Sequence, residues 1–388
     1  MLGVIVVFAG TSWDGVAGSD RLLATELAAH TDVLWVDPPI SAATPDRYRY
    51  GASRLGMTPL LRRVSPSSHR LTPRALPMHT RPYVKVSTAA LLRSQARRAL
   101  RRLGRRPAAV MACNLVDVLR GWEPGVTKVL YGTDDFVAGA ALMGHDADRV
   151  AADERRQLAN ADLVVAISTV LAERWTSMGA RRVELIPNGV QTSAYRDLSL
   201  LSPAPEAGGL ASPVAGVIGQ FSDRTDFDLL AALADDGISL LLVGPHDARW
   251  EPERFPRLVA RPNVVWVGRQ PFEKVPSFLR AVDVGVTPYR DTPFNRASFP
   301  LKTLEYLGAG KPAVSTDLPA VHWLDSPLVR VANTPKELVA AVREAAAESS
   351  VPELVAARRE FAEQHSWTQR AATLASVLGL SHRHHNTL

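Results

Sequence analysis

Residues 281–315 read AVDVGVTPYRDTPFNRASFPLKTLEYLGAGKPAVS, and this stretch decides the fold class. The apolar run at Asp283–Thr287 is typical of a buried strand, leucines at helical spacing predict a helix over Leu301–Gly308, and Ala313–Ser315 predicts a second strand. A strand, a crossover helix and a second strand are the unit from which parallel sheets are built. The stretch therefore predicts an α/β protein.

The same alternation extends in both directions along the chain. Apolar runs that predict further strands lie at residues 3–9, 32–36, 108–113, 128–131, 163–167, 214–219, 239–243 and 263–267. Runs without polar alternation are typical of strands that helices cover on both faces. By contrast, residues 38–82 are rich in Pro, Arg and Ser and predict a long, partly irregular excursion.

A stretch without periodicity divides the chain. Residues 199–213 are rich in Pro, Ala, Gly and Ser, which is the composition of a linker. We therefore expect two doubly wound, Rossmann-like parallel-sheet domains, at residues 1–198 and 214–365, that face an interdomain cleft, because ligands bind outside the carboxyl ends of such strands. Residues 366–388 are expected to form a C-terminal helix, able to pack back on the N-terminal domain, and a tail.

Cysteine content and hydropathy exclude several classes of protein. The single cysteine, Cys113, cannot form an intrachain disulfide or a thiolate metal cage. The sequence has no run of about 18 consecutive apolar residues, so no membrane-spanning helix is expected. The apolar start lacks a basic region and predicts a first strand, not a signal peptide. These features favour a cytoplasmic protein.

Positive charge is concentrated in the first half of the chain. No acidic residue lies between Asp46 and Asp117, whereas residues 47–106 contain sixteen Lys and Arg. Within this block, residues 87–104 predict an amphipathic helix with an Ala- and Leu-rich apolar face. The arginines on its other face are Arg93, Arg97, Arg98, Arg101, Arg102 and Arg105. Such a block favours an anionic ligand or peripheral contact with the anionic inner membrane surface, with a solvated face as the alternative. Nucleic acid is not expected, because no binding signature is present.

The strongest candidate site is the segment Ser298–Pro312, SFPLKTLEYLGAGKP. The start of its helix is expected to bind an anion through free backbone N–H groups of Ser298, Phe299 and Leu301. Lys302 lies in the first turn and can reach the same anion, and Glu305 follows one turn later on the same side. Amides and a lysine for phosphates, with a carboxylate for ribose hydroxyls, suit a nucleoside diphosphate. An ordinary amphipathic helix with its leucines in the core is the alternative.

This segment resembles retaining nucleotide-sugar glycosyltransferases of the GT-B fold, in the group 1 (family 4) class. The pattern P-x-K-x-x-E-Y-L-x-x-G-K-P is most similar to teichuronic-acid-type cell-surface sugar transferases. Further segments match the class in order: ADLVVAIS at 161–168, LIPNGV at 185–190, VGP at 243–245, NVVWVG at 263–268 and AVDVGVTP at 281–288. The resemblance implies transfer of a sugar from a UDP-, GDP- or dTDP-linked donor to a hydroxyl acceptor, with retention at the anomeric carbon.

The resemblance also implies which residues bind the donor. They are Gly219, Gln220, Arg224, Gly244, His246, Arg269, Ser298, Phe299, Pro300, Leu301, Lys302 and Glu305. The sequence departs from the class at three positions: Ala297 replaces a first acidic residue, Gln220 an arginine and Thr225 a lysine. Arg224 is one position from the missing lysine and is the candidate to replace it, with a surface arginine as the alternative. For His246 the alternative is a solvated loop histidine.

Carboxylates that follow strands of the first domain are candidates for the acceptor side. Asp134 and Asp135 follow the strand at 128–131, and with Lys302 they are the predicted catalytic residues, with loop capping as the alternative. The predicted acceptor-binding residues are Thr11, Trp13, Asp14 and Asp134.

Two Asp-x-Asp strings bear on metal binding. Asp146–Asp148 and Asp226–Asp228 both stand where a helix is expected to begin, and Asp at that position caps free N–H groups. We therefore expect no metal and no cofactor. A dehydrogenase and a serine hydrolase are not favoured, because G-x-G-x-x-G and G-x-S-x-G are absent. Two alternatives remain: a nucleotide-sugar epimerase-like enzyme on the same fold, and a catalytically silent partner subunit. Ala297 keeps the second alternative open, whereas Lys302 and Glu305 argue against it.

Overall fold

The chain divides into two units. The computed structural model describes residues 3–45, 58–77, 82–142, 144–299 and 301–380. The first unit comprises the chain up to Pro187 together with the chain from Arg370 onward, and the second unit is Asn188–Gln369. Among the described residues, no helix combines the length and the apolar character needed to cross a bilayer.

The first unit is built on an eight-stranded sheet. Its strands are β1 (Val4–Phe8), β2 (Asp32–Val36), β3 (Leu60–Ser65), β4 (Ser68–Thr72), β5 (Pro107–Ala112), β6 (Thr127–Gly132), β7 (Leu163–Ala166) and β8 (Val183–Leu185). Their order is β3-β4-β2-β1-β5-β6-β7-β8, parallel except for the β3–β4 pair. Helices α1 (Ser19–Leu27), α2 (Pro82–Arg102), α3 (Ala147–Asn160) and α4 (Thr169–Ser177) connect them. Every residue of β1 and β2 is buried, which explains their uninterrupted apolar runs.

An antiparallel hairpin lies where the sequence predicts an irregular excursion. Strands β3 and β4 pair within residues 60–72. As an edge strand, β3 exposes Arg62 and Arg63, so no apolar run marks it. Strand β4 buries Arg70, whose charge is compensated by carboxylates from elsewhere in the chain. Apolar periodicity therefore misses both strands.

The second unit contains a six-stranded, fully parallel sheet. Its strands are β9 (Val214–Ile218), β10 (Ser239–Val243), β11 (Val264–Trp266), β12 (Val284–Thr287), β13 (Ala313–Ser315) and β14 (Val329–Val331). The helices are α5 (Phe227–Asp235), α6 (Arg254–Val259), α7 (Val275–Arg280), α8 (Pro293–Ala297), α9 (Leu301–Gly308), α10 (Pro319–Leu324), α11 (Pro335–Ala347), α12 (Pro352–Gln364) and α13 (Trp367–Val377), the last of which continues into the first unit. The order β11-β10-β9-β12-β13-β14 reverses direction beside β9. In doubly wound sheets, ligands bind at the carboxyl ends of the strands at this reversal.

The boundaries of the units differ from the predicted 1–198 and 214–365. Residues 188–213 belong to the second unit, because they form hydrogen bonds with other residues of that unit. The N–H of Val190 donates to His365 O at 3.0 Å, and the N–H of Ala204 donates to Ser277 O at 3.0 Å. Asp283 accepts from Ser212 Oγ at 2.7 Å. The linker-like composition of 199–213 therefore does not mark a free connection.

Candidate active site

The loops after β9 and β10 begin with glycines that approach each other closely. A Cβ on Gly244 would lie 1.6 Å from the carbonyl oxygen of Gly219, so a larger residue cannot replace Gly244 without moving the loop. The N–H of Phe221 donates to Pro245 O, and the N–H of Asp247 donates to Phe221 O, both at 2.9 Å. The two loops therefore form one backbone surface at the carboxyl edge of the sheet.

The first turn of α9 lies at the same edge and carries an ion pair. Lys302 Nζ donates to both carboxylate oxygens of Glu305, at 2.9 and 2.8 Å, and both side chains are largely buried. Thr303 Oγ1 lies 3.4 Å from the Oγ1 of Thr287, the last residue of β12. A carboxylate has about four acceptor positions and an ammonium three donors, so the pair keeps capacity for ligand hydroxyls and phosphates.

Two buried tyrosines position α9. The ring of Tyr306 packs on β12 so tightly that a Cβ on Gly285 would lie 2.0 Å from it. Its hydroxyl accepts from the N–H of Ile218 at 2.9 Å, which ties α9 to the end of β9. On another side, burial raises the pKa of the Tyr195 phenol well above its usual range, and the nearby Glu305 carboxylate raises it further.

Two of the predicted anion-binding amides are not free. The N–H of Ser298 donates to Phe294 O at 3.0 Å, and its Oγ donates to the same carbonyl at 2.8 Å, so Ser298 ends α8. The N–H of Leu301 donates to Phe299 O at 2.9 Å. Helix α8, which the sequence pattern does not predict, uses the Ser298 amide. Phe299 is buried with its ring 5.6 Å from that of Trp323. Pro300 lies outside the described residues.

Arg224 is fixed in the loop after β9. Its guanidinium lies over the rings of Phe294 and Tyr289, at 4.7 and 5.4 Å from their centroids, and Nε donates to Asn295 Oδ1 at 2.8 Å. The neighbouring Thr225 is buried and bridges to Tyr289. Arg224 is therefore half-buried and held in one orientation by its neighbours.

The remaining predicted donor residues differ in exposure. Gln220 and Arg269 are exposed. The ring of His246 stacks on Phe255 with centroids 4.1 Å apart, and Nε2 lies 2.8 Å from Trp250 O. Because a carbonyl only accepts, Nε2 of His246 carries a proton. His246 is thus a packed residue, not a solvated loop histidine.

The second unit matches a known protein family. Residues 215–348 match the family model described as Glycosyl transferases group 1. The chain carries a group 1 glycosyltransferase domain. TuaH of Bacillus subtilis (strain 168), assigned as a teichuronic acid biosynthesis glycosyltransferase, is 31% identical over 270 residues. The match covers 65% of this chain and 66% of TuaH, just under two thirds of that relative's length. The predicted group 1 glycosyltransferase domain is therefore confirmed for residues 215–348.

Solved structures with the same fold support the domain architecture. Sucrose-phosphate synthase from Thermosynechococcus elongatus matches with a TM-score of 0.68 and 19% identity over 97% of this chain and 98% of that chain. Anabaena HepE, solved in complex with UDP and glucose, matches with a TM-score of 0.66 and 14% identity over 98% and 100%. With the two parallel sheets, these matches confirm the predicted α/β fold of the GT-B class.

Outside the glycosyltransferase domain, the loop after β1 carries the predicted acceptor residues. Thr11 is exposed, and the N–H of Trp13 donates to Asp37 Oδ1 at 2.9 Å. Asp14 Oδ2 accepts from Arg70 Nη1 at 2.6 Å, and Arg70 Nε donates to Asp37 Oδ2 at 2.7 Å. Buried Arg70 and Asp37 thus hold this loop in place.

The predicted catalytic carboxylates after β6 have different surroundings. Asp135 is buried, and its Oδ1 accepts from the N–H groups of Val137 and Ala138 at 3.0 and 2.9 Å. The same oxygen lies 3.2 Å from Arg174 Nη1. These contacts match the loop-capping alternative. Asp134 is half-buried beside it.

Both Asp-x-Asp strings begin helices, as predicted. Asp146 Oδ1 accepts from the N–H of Arg149 at 2.9 Å at the start of α3. Asp226 Oδ1 accepts from the N–H groups of Asp228 and Leu229 at 3.0 and 3.3 Å at the start of α5 in the glycosyltransferase domain. The interpretation of these aspartates as helix caps is confirmed.

Four residues that shape these sites are not evident as such from the sequence: Tyr306, Asn295, Arg70 and Asp37. Tyr306 stands in the quoted motif, but the motif alone does not show that its hydroxyl binds β9. Asn295 has no sequence signal. Arg70 is counted with the basic block, although it is buried, and Asp37 is 33 residues away from it. Only the fold brings these groups to their partners.

Proposed function

We propose that this chain is a glycosyltransferase that moves a sugar from a nucleoside diphosphate donor to a hydroxyl acceptor. The observation that carries the proposal is the Lys302–Glu305 pair at the carboxyl edge of the glycosyltransferase domain, next to the end of β12. In the complex, Glu305 accepts from the ribose hydroxyls, while Lys302 and Arg224 bind the diphosphate. The UDP in the HepE structure and the assignment of TuaH support this class of donor.

In the proposed reaction, fixed positive charge stabilises the leaving diphosphate. Charges already in position act on the developing charge without reorganisation. The acceptor attacks from the face that the diphosphate leaves, and the leaving phosphate takes its proton, so the anomeric configuration is retained without an enzyme nucleophile or a metal. Asp134 positions the acceptor hydroxyl, Thr11, Trp13 and Asp14 contribute to binding the acceptor, and Asp135 shapes the loop after β6.

The test follows turnover of UDP-, GDP- and dTDP-sugars by mass spectrometry, with and without hydroxyl acceptors. Lys302→Ala is expected to lower activity by about two to three orders of magnitude, the effect of removing one preorganised contact. Glu305→Ala is expected mainly to weaken nucleotide binding. Lys336→Ala is the matched control, because this exposed lysine also lies in the first turn of a helix of the same domain.

The outcomes of this test distinguish a transferase from the two alternatives. Near-normal turnover in both variants would contradict the proposal. Conversion of the donor sugar without acceptor would indicate the epimerase alternative, and nucleotide binding without any turnover would indicate a silent partner subunit. NMR of the product at the anomeric carbon checks retention.

We also propose that the enzyme works at the cytoplasmic face of an anionic membrane, through α2. Contrary to the prediction, Arg93 and Arg97 do not belong to this exposed surface. Arg93 donates to the carbonyl of Asp117 and Arg97 to that of Gly121. The Arg97 guanidinium also lies 4.8 Å from the centroid of the Trp122 ring. The exposed arginines of α2 and the residues after it are Arg98, Arg101, Arg102, Arg105 and Arg106. Anionic lipid attracts such a cluster, and an anionic acceptor is the alternative partner.

A further inference from the structure

Asn295, in α8 of the second unit, is 2% exposed, and its side-chain amide binds two loops at once. Oδ1 accepts from Arg224 Nε at 2.8 Å. Nδ2 donates to the carbonyl oxygens of Arg224 and Arg290, both at 2.9 Å. The N–H of Arg290 donates to the same Arg224 carbonyl at 2.9 Å. One buried amide therefore joins the loop after β9 to the loop after β12.

These contacts set the orientation of the Arg224 guanidinium. Nε is bound to Asn295, and the planar group lies over Phe294 and Tyr289. None of these contacts uses the two terminal nitrogens, which carry four N–H donors in the fork that suits phosphate oxygens. A guanidinium held in this way loses little side-chain entropy when an anion binds.

We propose that Asn295 is a positioning residue that holds Arg224 for the donor diphosphate. The proposal rests on the proposed function and identifies how this chain replaces the cations that its family usually carries. Residues 219–226 read GQFSDRTD, so Arg224 is the only cation in the loop after β9. Thr225, at the expected lysine position, is buried.

The chemistry of the site specifies an asparagine. Aspartate would accept from Nε but would place negative charge against two carbonyl oxygens and partly neutralise Arg224. An apolar residue of similar size would leave the Arg224 and Arg290 carbonyls without these bonds, and an unsatisfied buried polar group is costly. Only an amide supplies one acceptor and two donors here.

The experiment measures binding of UDP and of uridine by calorimetry, with GDP and guanosine or dTDP and thymidine if these bind instead. Asn295→Ala and Arg224→Ala are each expected to weaken binding of the nucleoside diphosphate by about 10- to 100-fold, the range for a lost charge-assisted contact. The nucleoside without phosphates is expected to bind unchanged. The double variant is expected to bind no more weakly than Arg224→Ala, because Asn295 acts through Arg224.

Thr292→Ala is the structural control. Its Oγ1 accepts from the Asn295 N–H at 3.2 Å at the start of α8, so this variant weakens the helix but keeps the side-chain amide. An equal loss of diphosphate binding in Thr292→Ala, a loss of nucleoside binding in Asn295→Ala, or additive losses in the double variant would overturn the positioning role. Asn295→Ser replaces Asn295→Ala if the latter does not fold. Wild-type protein that binds none of the three diphosphates would instead overturn the proposed function.

Discussion

Replacing Tyr306 with phenylalanine removes one buried hydroxyl and leaves the ring packing intact. The hydroxyl accepts from the N–H of Ile218 at 2.9 Å and lies 3.4 Å from Val286 O, and the side chain is fully buried. The 3.4 Å contact is long for an O–H donor, so the main loss is the partner of the Ile218 amide. A buried donor without a partner costs about 1–3 kcal/mol. The second unit, Asn188–Gln369, is expected to be destabilised by this amount.

The assay is thermal unfolding together with hydrogen exchange of the β9 segment. For a domain of this length, each kcal/mol lowers the Tm by about 2–4 °C. The Ile218 amide is also expected to exchange faster, because its acceptor is gone. Tyr131→Phe is the matched control, since that hydroxyl is buried and has no hydrogen-bond partner among the described residues. An unchanged Tm in Tyr306→Phe, or an equal loss in Tyr131→Phe, would refute the reasoning.

Three further predictions concern metal, pH and lipid. Activity is expected to survive EDTA, because Asp146 and Asp226 bind helix amides; a loss that Mn²⁺ restores would contradict this. Burial, and then repulsion by Arg63, lower the pKa of His69 from 6.5, so the unfolded chain takes up the proton more readily and stability falls as the pH drops below about 6.5. Between about pH 7.5 and 5.5, the Tm of His69→Gln is expected to fall less than the Tm of the wild type. Equal falls in Tm would contradict this role of His69. We expect glutamine substitutions at the exposed arginines of α2 and of the residues after it to abolish binding to anionic vesicles and to leave donor turnover intact. Each cation near such a surface contributes on the order of 1 kcal/mol to binding at low salt. A raised acceptor KM without vesicle binding would indicate an anionic acceptor, and no effect in either assay a solvated face. The positions changed are Arg98, Arg101, Arg102, Arg105 and Arg106.

Elements buried on both faces can be predicted from the sequence. The observed bounds of β2, β10 and α9 are those that the apolar runs and helical spacing indicate, because burial demands apolar residues without interruption. Strand β3 is not predicted by its apolar pattern, because it is an exposed edge strand. Short helix α8 is not predicted either, since five residues contain too little periodicity to read.

The candidate site is predictable only in part, for a physical reason. Lys302 and Glu305 are three residues apart in one helix, so local geometry brings them together. The ion pair of Arg70 with Asp37 and the bonds of Asn295 to Arg224 join distant segments, and no local rule links them. Lys302 and Glu305, which are proposed to contact the donor, thus lie in one local motif, while the residues proposed to have an orienting role are brought to their partners only by the tertiary structure.

The first unit is discontinuous in the chain, and this affects the order in which the protein can be made. The second unit is one continuous segment, Asn188–Gln369, so all of it has been synthesised before the first unit is complete. From Arg370 onward, helix α13 belongs to the first unit, and its Ala371, Leu374 and Ala375 are buried. Because translation proceeds from the N-terminus, the strands of the eight-stranded sheet are synthesised well before the last segment of their own unit. The first unit is therefore begun before the second unit and completed after it.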